Sequence, residues 1–381
     1  MSEIVDTPPG PRTWQVSWTG LRTVAVLELR QRVRSTRWIT ILVIWALLLG
    51  AMTTLLHLAF RRLGQGGESE EVGAIIFGLI VYLVLSLGSL ISPALSATSV
   101  NGDRSAGVLA TLQTTLLTPA EIALGKLGAA WLTALAFLAV ALPFLGWGFL
   151  DGGTPPGRFL ITLTLLAVML LVVCAVGLGW SAITSRTTSS AVLTYLTITF
   201  VGVGLPVLFF MLAPLVTTTE RRTVRDMVSQ SAVWDPRGQV WMSNEMNGDS
   251  PMVCRESFQE TTVTHSERIW WLLAGNPFVV LADASPMPDG NGDDILSSIR
   301  TNVRDLRLGA PAVQDRCADW GRMRAENAAQ QEKRQKQRQA LNATWPYGLA
   351  VNLLLGTTFT AVAIRRLRAP AAKLPRGTRV A

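Results

Sequence analysis

Long apolar runs leave this chain little choice of fold. A run of about 18 or more apolar residues is long enough to cross a bilayer. Inside lipid its backbone N–H and C=O groups must be satisfied within the segment itself, which makes each run a helix. Five runs meet the criterion plainly: Trp38–Phe60, Gly73–Ala97, Gly125–Leu150, Phe159–Ile183 and Ser189–Val216. A sixth, Trp345–Ile364, is shorter and more polar but still long enough. Charged residues make up only 16% of the chain, against roughly 25% in a soluble domain. The reading is an all-α polytopic membrane protein with six transmembrane helices.

Orientation follows from Lys and Arg near the span ends. Arg12, Arg22, Arg30, Arg32, Arg34 and Arg37 precede the first run, and Arg365, Arg366, Arg368, Lys373, Arg376 and Arg379 follow the last. Both ends are therefore expected in the cytoplasm, which requires an even number of spans. Arg61 and Arg62 after the first run count against this orientation. Residues 1–20 have no apolar core, so the first run is expected to stay as an anchor rather than be cleaved. The net charge of +8 lies mostly in the two tails and is read as topology and contact with anionic headgroups of membrane lipid. It does not suit nucleic acid, because no stacking aromatics are interleaved with the basic residues.

Five regions follow. Residues 1–37 form a cytoplasmic tail with a helix over Leu21–Arg37. Its apolar positions Leu21, Val24, Ala25, Leu29 and Val33 suit either an interfacial helix or an ordinary juxtamembrane anchor. Residues 38–216 hold spans one to five. Residues 217–344 form an extracytoplasmic domain expected to be mixed. It has turns and short strands around Val240, Met242 and Val263, and a long polar helix over Gln314–Leu341. Within it, residues 269–282 (IWWLLAGNPFVVLA) are too few to span, so they form a re-entrant or interfacial segment or a buried helix of the domain core. Residues 345–364 are span six, and residues 365–381 are a basic cytoplasmic tail.

Chemistry is scarce. The chain has two histidines and three cysteines, with no metal-ligand spacing, no GxSxG, no HExxH and no GxxxxGK[ST] loop. Catalytic, cofactor-binding and metal-binding residues are all expected to be absent. Cys174 falls within span four. Cys254 and Cys317 both fall in the domain after span five, where an oxidising exterior permits a disulfide. A bridge closing a loop of that length contributes roughly 4 kcal/mol; the alternative is two unpaired thiols. The spans carry almost no ionisable residues, unlike ion-coupled carriers. Ser86, Ser89, Thr194 and Thr197 are candidates to line a path, although small residues serve helix packing equally well.

One polar stretch interrupts the apolar pattern: NGDRSAGVLATLQTTLLTPAEIALGK, residues 101–126. Topology puts it on the cytoplasmic side between spans two and three. Thr118-Pro119-Ala120-Glu121 reads as a capping box that starts a new helix. The stretch resembles the coupling segment of the ABC-2 type permease family, the membrane subunits of ATP-binding-cassette exporters. The matching residues are Asp103-Arg104, Gly107, Leu109, Leu112, Thr118-Pro119 and Gly125-Lys126, while Val108 and Ala110 depart from the usual Thr and Glu. Asn276-Pro277-Phe278 and the long segment before span six add to the resemblance.

The resemblance implies a permease subunit in the cell inner membrane, non-enzymatic by itself. A separate ABC ATPase uses ATP and Mg and seats residues 103–117 as a coupling helix. It also implies a dimer with a second permease copy or a related permease, and leaves room for an extracytoplasmic partner protein. The rival reading is a membrane-anchored adhesion or sensor protein whose external domain does the work.

Overall fold

The computed structural model describes residues 14–33, 36–62, 69–108, 117–150, 155–229, 233–234, 240–241, 252–285, 294–310, 313–315, 332–333, 335–337 and 340–368. Six helices among them are long and apolar enough to cross a membrane: Trp38–Phe60, Gly73–Ser105, Pro119–Leu150, Pro156–Ile183, Thr187–Val216 and Trp345–Arg366. They coincide with the six runs read from hydropathy. The chain is mostly helical and divides into two compact units.

The first unit comprises residues 1–204, 275–298 and 345–381. In chain order its helices are α1 (Trp18–Val33), α2 (Thr36–Arg62), α3 (Ser69–Ser96), α4 (Ser99–Ser105), α5 (Pro119–Leu150), α6 (Pro156–Ile183) and α7 (Thr187–Thr199). Helix α6 is central and packs against α3, α5, α7 and the last helix, α12 (Trp345–Arg366). In lipid there is no hydrophobic drive between helices, so close backbone approach and hydrogen bonds must hold them. Gly179 of α6 lies under Phe359 of α12, where an added Cβ would come within 2.4 Å of the ring. Indole donors supply cross-helix bonds, from Trp45 Nε1 to the Phe137 carbonyl at 3.0 Å and from Trp131 Nε1 to the Ala167 carbonyl at 2.8 Å.

After α7 the backbone widens into a π-helical turn, Phe200–Gly204. Pro206 lacks the N–H that would reach the Gly202 carbonyl four residues back. Asn276 Nδ2 donates to that carbonyl at 2.7 Å instead.

The second unit comprises residues 205–274 and 299–344. It begins with α8 (Leu205–Leu212) and a single 3-10 turn, Ala213–Val216. Strands β1 (Thr217–Ser229) and β4 (Met252–Thr264) then pair antiparallel along all 13 residues, from Thr217↔Thr264 to Ser229↔Met252. The short strands β2 (Val233–Trp234) and β3 (Val240–Trp241) pair with each other. β5 (Val313–Asp315) joins β1 in parallel, giving the order β4-β1-β5.

The ribbon is rich in β-branched Thr and Val, and its cross-strand pairs include an Arg225–Glu256 ion pair at 2.7 Å. It is far longer than the short strands expected there. Val240 and Val263 do lie in strands, while Met242 is outside the described residues. Gln314 and Asp315 are in β5, so the long polar helix does not begin at Gln314. Residues 332–333 and 335–337 are helical, with a Glu332–Lys336 pair at 2.7 Å, and residues 316–331 lie outside the description.

The segment 269–282 is two short helices rather than one. A short helix, α9 (Trp271–Ala274), ends the first part, and α10 (Pro277–Ala284) forms the second, in the first unit. Asn276 caps α10, its Oδ1 accepting from Phe278 N at 2.8 Å and Val279 N at 3.4 Å, with Pro277 at the first helical position. Val280, Leu281 and Ala282 are fully buried. Helix α11 (Ile295–Leu308) follows.

Candidate functional site

The polar stretch between spans two and three starts with α4. Its first N–H groups have no helical partner, and Thr98 does not cap them. Ser181 of α6 does so instead: its Oγ accepts from Val100 N at 3.0 Å and Asn101 N at 3.2 Å and donates to Asn101 Oδ1 at 3.0 Å. The Asn101 amide in turn donates to the Arg186 carbonyl at 3.3 Å. α4 is thus anchored to both ends of the turn between α6 and α7. It ends at Ser105, and Gly107 beyond its cap has a φ of 72°, a left-handed conformation that favours glycine.

The fold brings together two residues of the sequence motif that lie on different helices. Lys126 Nζ is 2.5 Å from Asp103 Oδ2 and also contacts Glu28 Oε1 of α1. Lys126 is 1% exposed, so its ammonium needs both carboxylates to offset lost hydration. Glu28 sits 4.0 Å from Arg32, whose Nη2 donates to the Leu95 carbonyl at 2.8 Å near the end of α3. Burial lowers the Arg32 pKa from its ordinary value, with Glu28 opposing. Two cations and two carboxylates make this junction of α1, α3, α4 and α5 neutral as a set.

The capping box forms as expected. Glu121 N donates to Thr118 Oγ1 at 3.2 Å, and Thr118 N donates to Glu121 Oε2 at 2.8 Å. Glu121 also serves a second helix, because its Oε1 accepts from Ser17 N at 2.7 Å at the start of α1. Thr118 Oγ1 donates to the Gln15 carbonyl at 2.6 Å. Gly20 of α1 lies against the Glu121 carboxyl, and Gly125 of α5 lies against Val24, each leaving only 2.6 Å for an added Cβ. The strip from Thr118 to Lys126 is therefore the seat of α1. Val24 and Ala25 are buried there, so part of the apolar stripe of α1 faces the helix bundle rather than lipid.

The other motif residues are placed as follows. Arg104 is half-buried in the last turn of α4, Pro119 opens α5, and Leu109 and Leu112 lie outside the described residues. Among the path candidates, Ser89 and Thr197 line a narrow cavity of about 30 Å³ with Pro277 and Asn352. Ser86 and Thr194 are not part of its lining. Thr194 donates to the Ser190 carbonyl at 2.7 Å, and Thr197 accepts from Trp180 Nε1 at 2.9 Å. Thr197 thus joins α6 to α7, whereas the Thr194 bond stays within α7. Cys254 lies in β4, and the bridge to Cys317 falls on a residue outside the description. No disulfide occurs among the described residues, and Cys174 is a buried free thiol. No group of three or more His, Cys, Asp or Glu suited to a metal occurs among the described residues either.

Sequence reasoning missed a second polar constellation in the first unit. Arg158, in the first turn of α6, is fully buried. Its Nε donates to Ser285 Oγ at 2.8 Å, its Nη2 pairs with Asp294, and its Nη1 has no partner among the described residues. Around α10, Tyr82 donates to the Phe278 carbonyl at 3.1 Å, Asn352 to the Gly275 carbonyl at 2.9 Å, and Trp345 N to Asp283 at 2.9 Å. A lone charge at a helix end was the available signal for Arg158, and Lys126 near the start of an apolar helix was the signal for its junction.

No family model matches the chain, and no curated protein matches it.

Proposed function

We propose that this chain is the permease subunit of an ATP-driven exporter. Two copies, or one copy and a related permease, form the path, and residues 103–117 receive the stroke of a separate ATPase. ATP and Mg are used by that partner, and chemistry occurs there rather than in this chain. The setting is the cell inner membrane with both termini in the cytoplasm, supported by the basic residues at both ends of the chain.

The observation that carries the reading is the Asp103–Lys126–Glu28 junction. A push on the turn after α4 meets an ion pair into α5, a hydroxyl cap into α6 and a packed seat for α1. Displacement is then shared by several helices as a rigid body instead of being absorbed by loose side chains. Asp103 acts in this scheme by bracing α4, so contact with the ATPase falls to the residues from Arg104 onward.

The test is purification of the full chain from its native membrane in mild detergent, followed by an ATP-hydrolysis assay of the eluate. An ATP-hydrolysing subunit should co-elute, be lost with Leu112→Asp, and be kept with the distant Thr164→Ala. If no such subunit co-elutes with the unaltered chain, or Leu112→Asp retains it fully, the reading is wrong.

A further inference from the structure

Within the second unit a cleft of about 740 Å³ lies between α8 with its following turn and the β4 edge of the ribbon. Its volume falls in the roughly 300–1,000 Å³ range of sites for small ligands. We propose that this cleft binds the hydrocarbon tail of a zwitterionic membrane lipid, with the lipid's ester region on the polar rim. The inference does not depend on the transport reading.

Three observations carry it. The first is the composition of the walls, with Phe209, Phe210 and Ala213 on one side and Thr261, Thr262 and Asn302 on the other. The second is continuity with a lipid-facing surface. Phe209 is buried at the cleft floor, whereas Phe210, Met211 and Leu215 are 70%, 71% and 79% exposed. The candidate span Thr187–Val216 to which they belong has only 6% of its most apolar window buried against protein. A lipid tail lying along that surface reaches the cleft without crossing polar ground, and filling the cleft keeps water off its apolar wall of Phe209, Phe210 and Ala213.

The third observation is the state of the rim. Its cation, Arg222, is held by Glu220 at 2.9 and 3.1 Å and donates to the Ala310 carbonyl at 3.3 Å. Asp305 is engaged as well. The side chains of Thr261, Thr262 and Asn302 have no hydrogen-bond partner among the described residues. The rim thus offers neutral donors and acceptors suited to ester oxygens, and no free counter-charge for a headgroup with net charge.

The experiment uses the full chain in phosphatidylcholine nanodiscs carrying a trace of phosphatidylcholine with a diazirine in its tail. Irradiation is followed by mapping of adducts by peptide mass spectrometry. Adducts are expected on peptides covering 205–213, 261–264 and 302–310, as well as on lipid-facing α2. Ala213→Trp and Ala310→Phe fill the cleft from opposite walls, and each should remove most of the cleft adduct while leaving the α2 adduct unchanged. Adducts on α2 with none at the cleft would overturn the proposal, as would cleft adducts at the unaltered level in both variants. A phosphatidylglycerol analogue that labels the cleft better than phosphatidylcholine would overturn the zwitterionic assignment. That comparison uses the unaltered chain, so it decides the matter even if neither variant folds.

Discussion

Arg158 and Asp294 form an ion pair in which neither side chain has any exposure to solvent. The arginine opens α6 and the carboxylate precedes α11, where its Oδ1 also accepts from Ser297 N at 3.1 Å. The pair is held between residues 136 apart in the chain. Removing one partner leaves the other charged and dry, at a cost of about 3–5 kcal/mol. Arg158→Met and Asp294→Asn should each lower the unfolding midpoint of the detergent-solubilised protein. The double variant should cost clearly less than the sum, and simple additivity would show that the two groups do not interact.

The Lys126 junction makes a parallel prediction with a different signature. Lys126→Met strands Glu28 and Asp103, both partly screened by solvent, so about 2–3 kcal/mol is expected. Asp103→Asn leaves Glu28 as a counter-ion and should cost about 1 kcal/mol. Thermal unfolding followed by intrinsic fluorescence checks the ordering. A Lys126 variant no worse than the Asp103 variant would rule out a shared, central ammonium.

Asn276 both caps α10 and repairs the carbonyl that Pro206 leaves open. Asn276→Asp keeps the capping oxygen and loses the donor to Gly202. The expected loss is about 1–2 kcal/mol. Pro206→Ala restores a backbone N–H to that part of the helix, so Asn276→Asp should cost less in that background. Chemical unfolding of the four proteins forms the cycle, and an unchanged penalty would dissociate Asn276 from the proline.

Acid should loosen the base of the β-ribbon. The Arg222 hydrogen bond chiefly holds Glu220 below the ordinary carboxylate range; burial opposes it and His265 adds to it. Burial raises the Glu267 pKa, but hydrogen bonds from His265 and its own backbone N–H outweigh this and leave it lowered. A lowered folded pKa contributes stability that is present above the unfolded pKa of about 4.3 and is lost as pH falls through the folded value. Hydrogen exchange in 217–229 and 252–264 should therefore show protection relative to Glu220→Gln at pH 6. That difference should shrink below pH 4. A difference that is constant over this range would mean the carboxylate contributes nothing through its charge.

Sequence alone was enough to locate the spans and the start of α5. An apolar run must form its own hydrogen bonds in lipid, and Thr118-Pro119-Ala120-Glu121 makes its reciprocal bonds over three residues. Both are local, one-dimensional constraints, so Trp38–Phe60 could be read directly, and Trp345–Ile364 to within two residues of the helix end at Arg366. The ribbon was not legible in this way. TTTERRTVRDMVS and MVCRESFQETTVT alternate only loosely, and their pairing joins residues up to 47 apart in the chain.

The candidate site shows the same division. The polar stretch stood out because it breaks two apolar runs, and Gly125-Lys126 could be noticed by resemblance. What those residues touch was decided by tertiary structure alone. Lys126 meets Glu28 98 residues away, and Glu121 closes the start of a helix 104 residues away. A buried charge needs a counter-charge within a few ångströms, but nothing in the chain's order says which of several distant carboxylates supplies it. Only the packing of α1 onto α5, with Gly125 admitting Val24, brings Glu28 within reach of the ammonium.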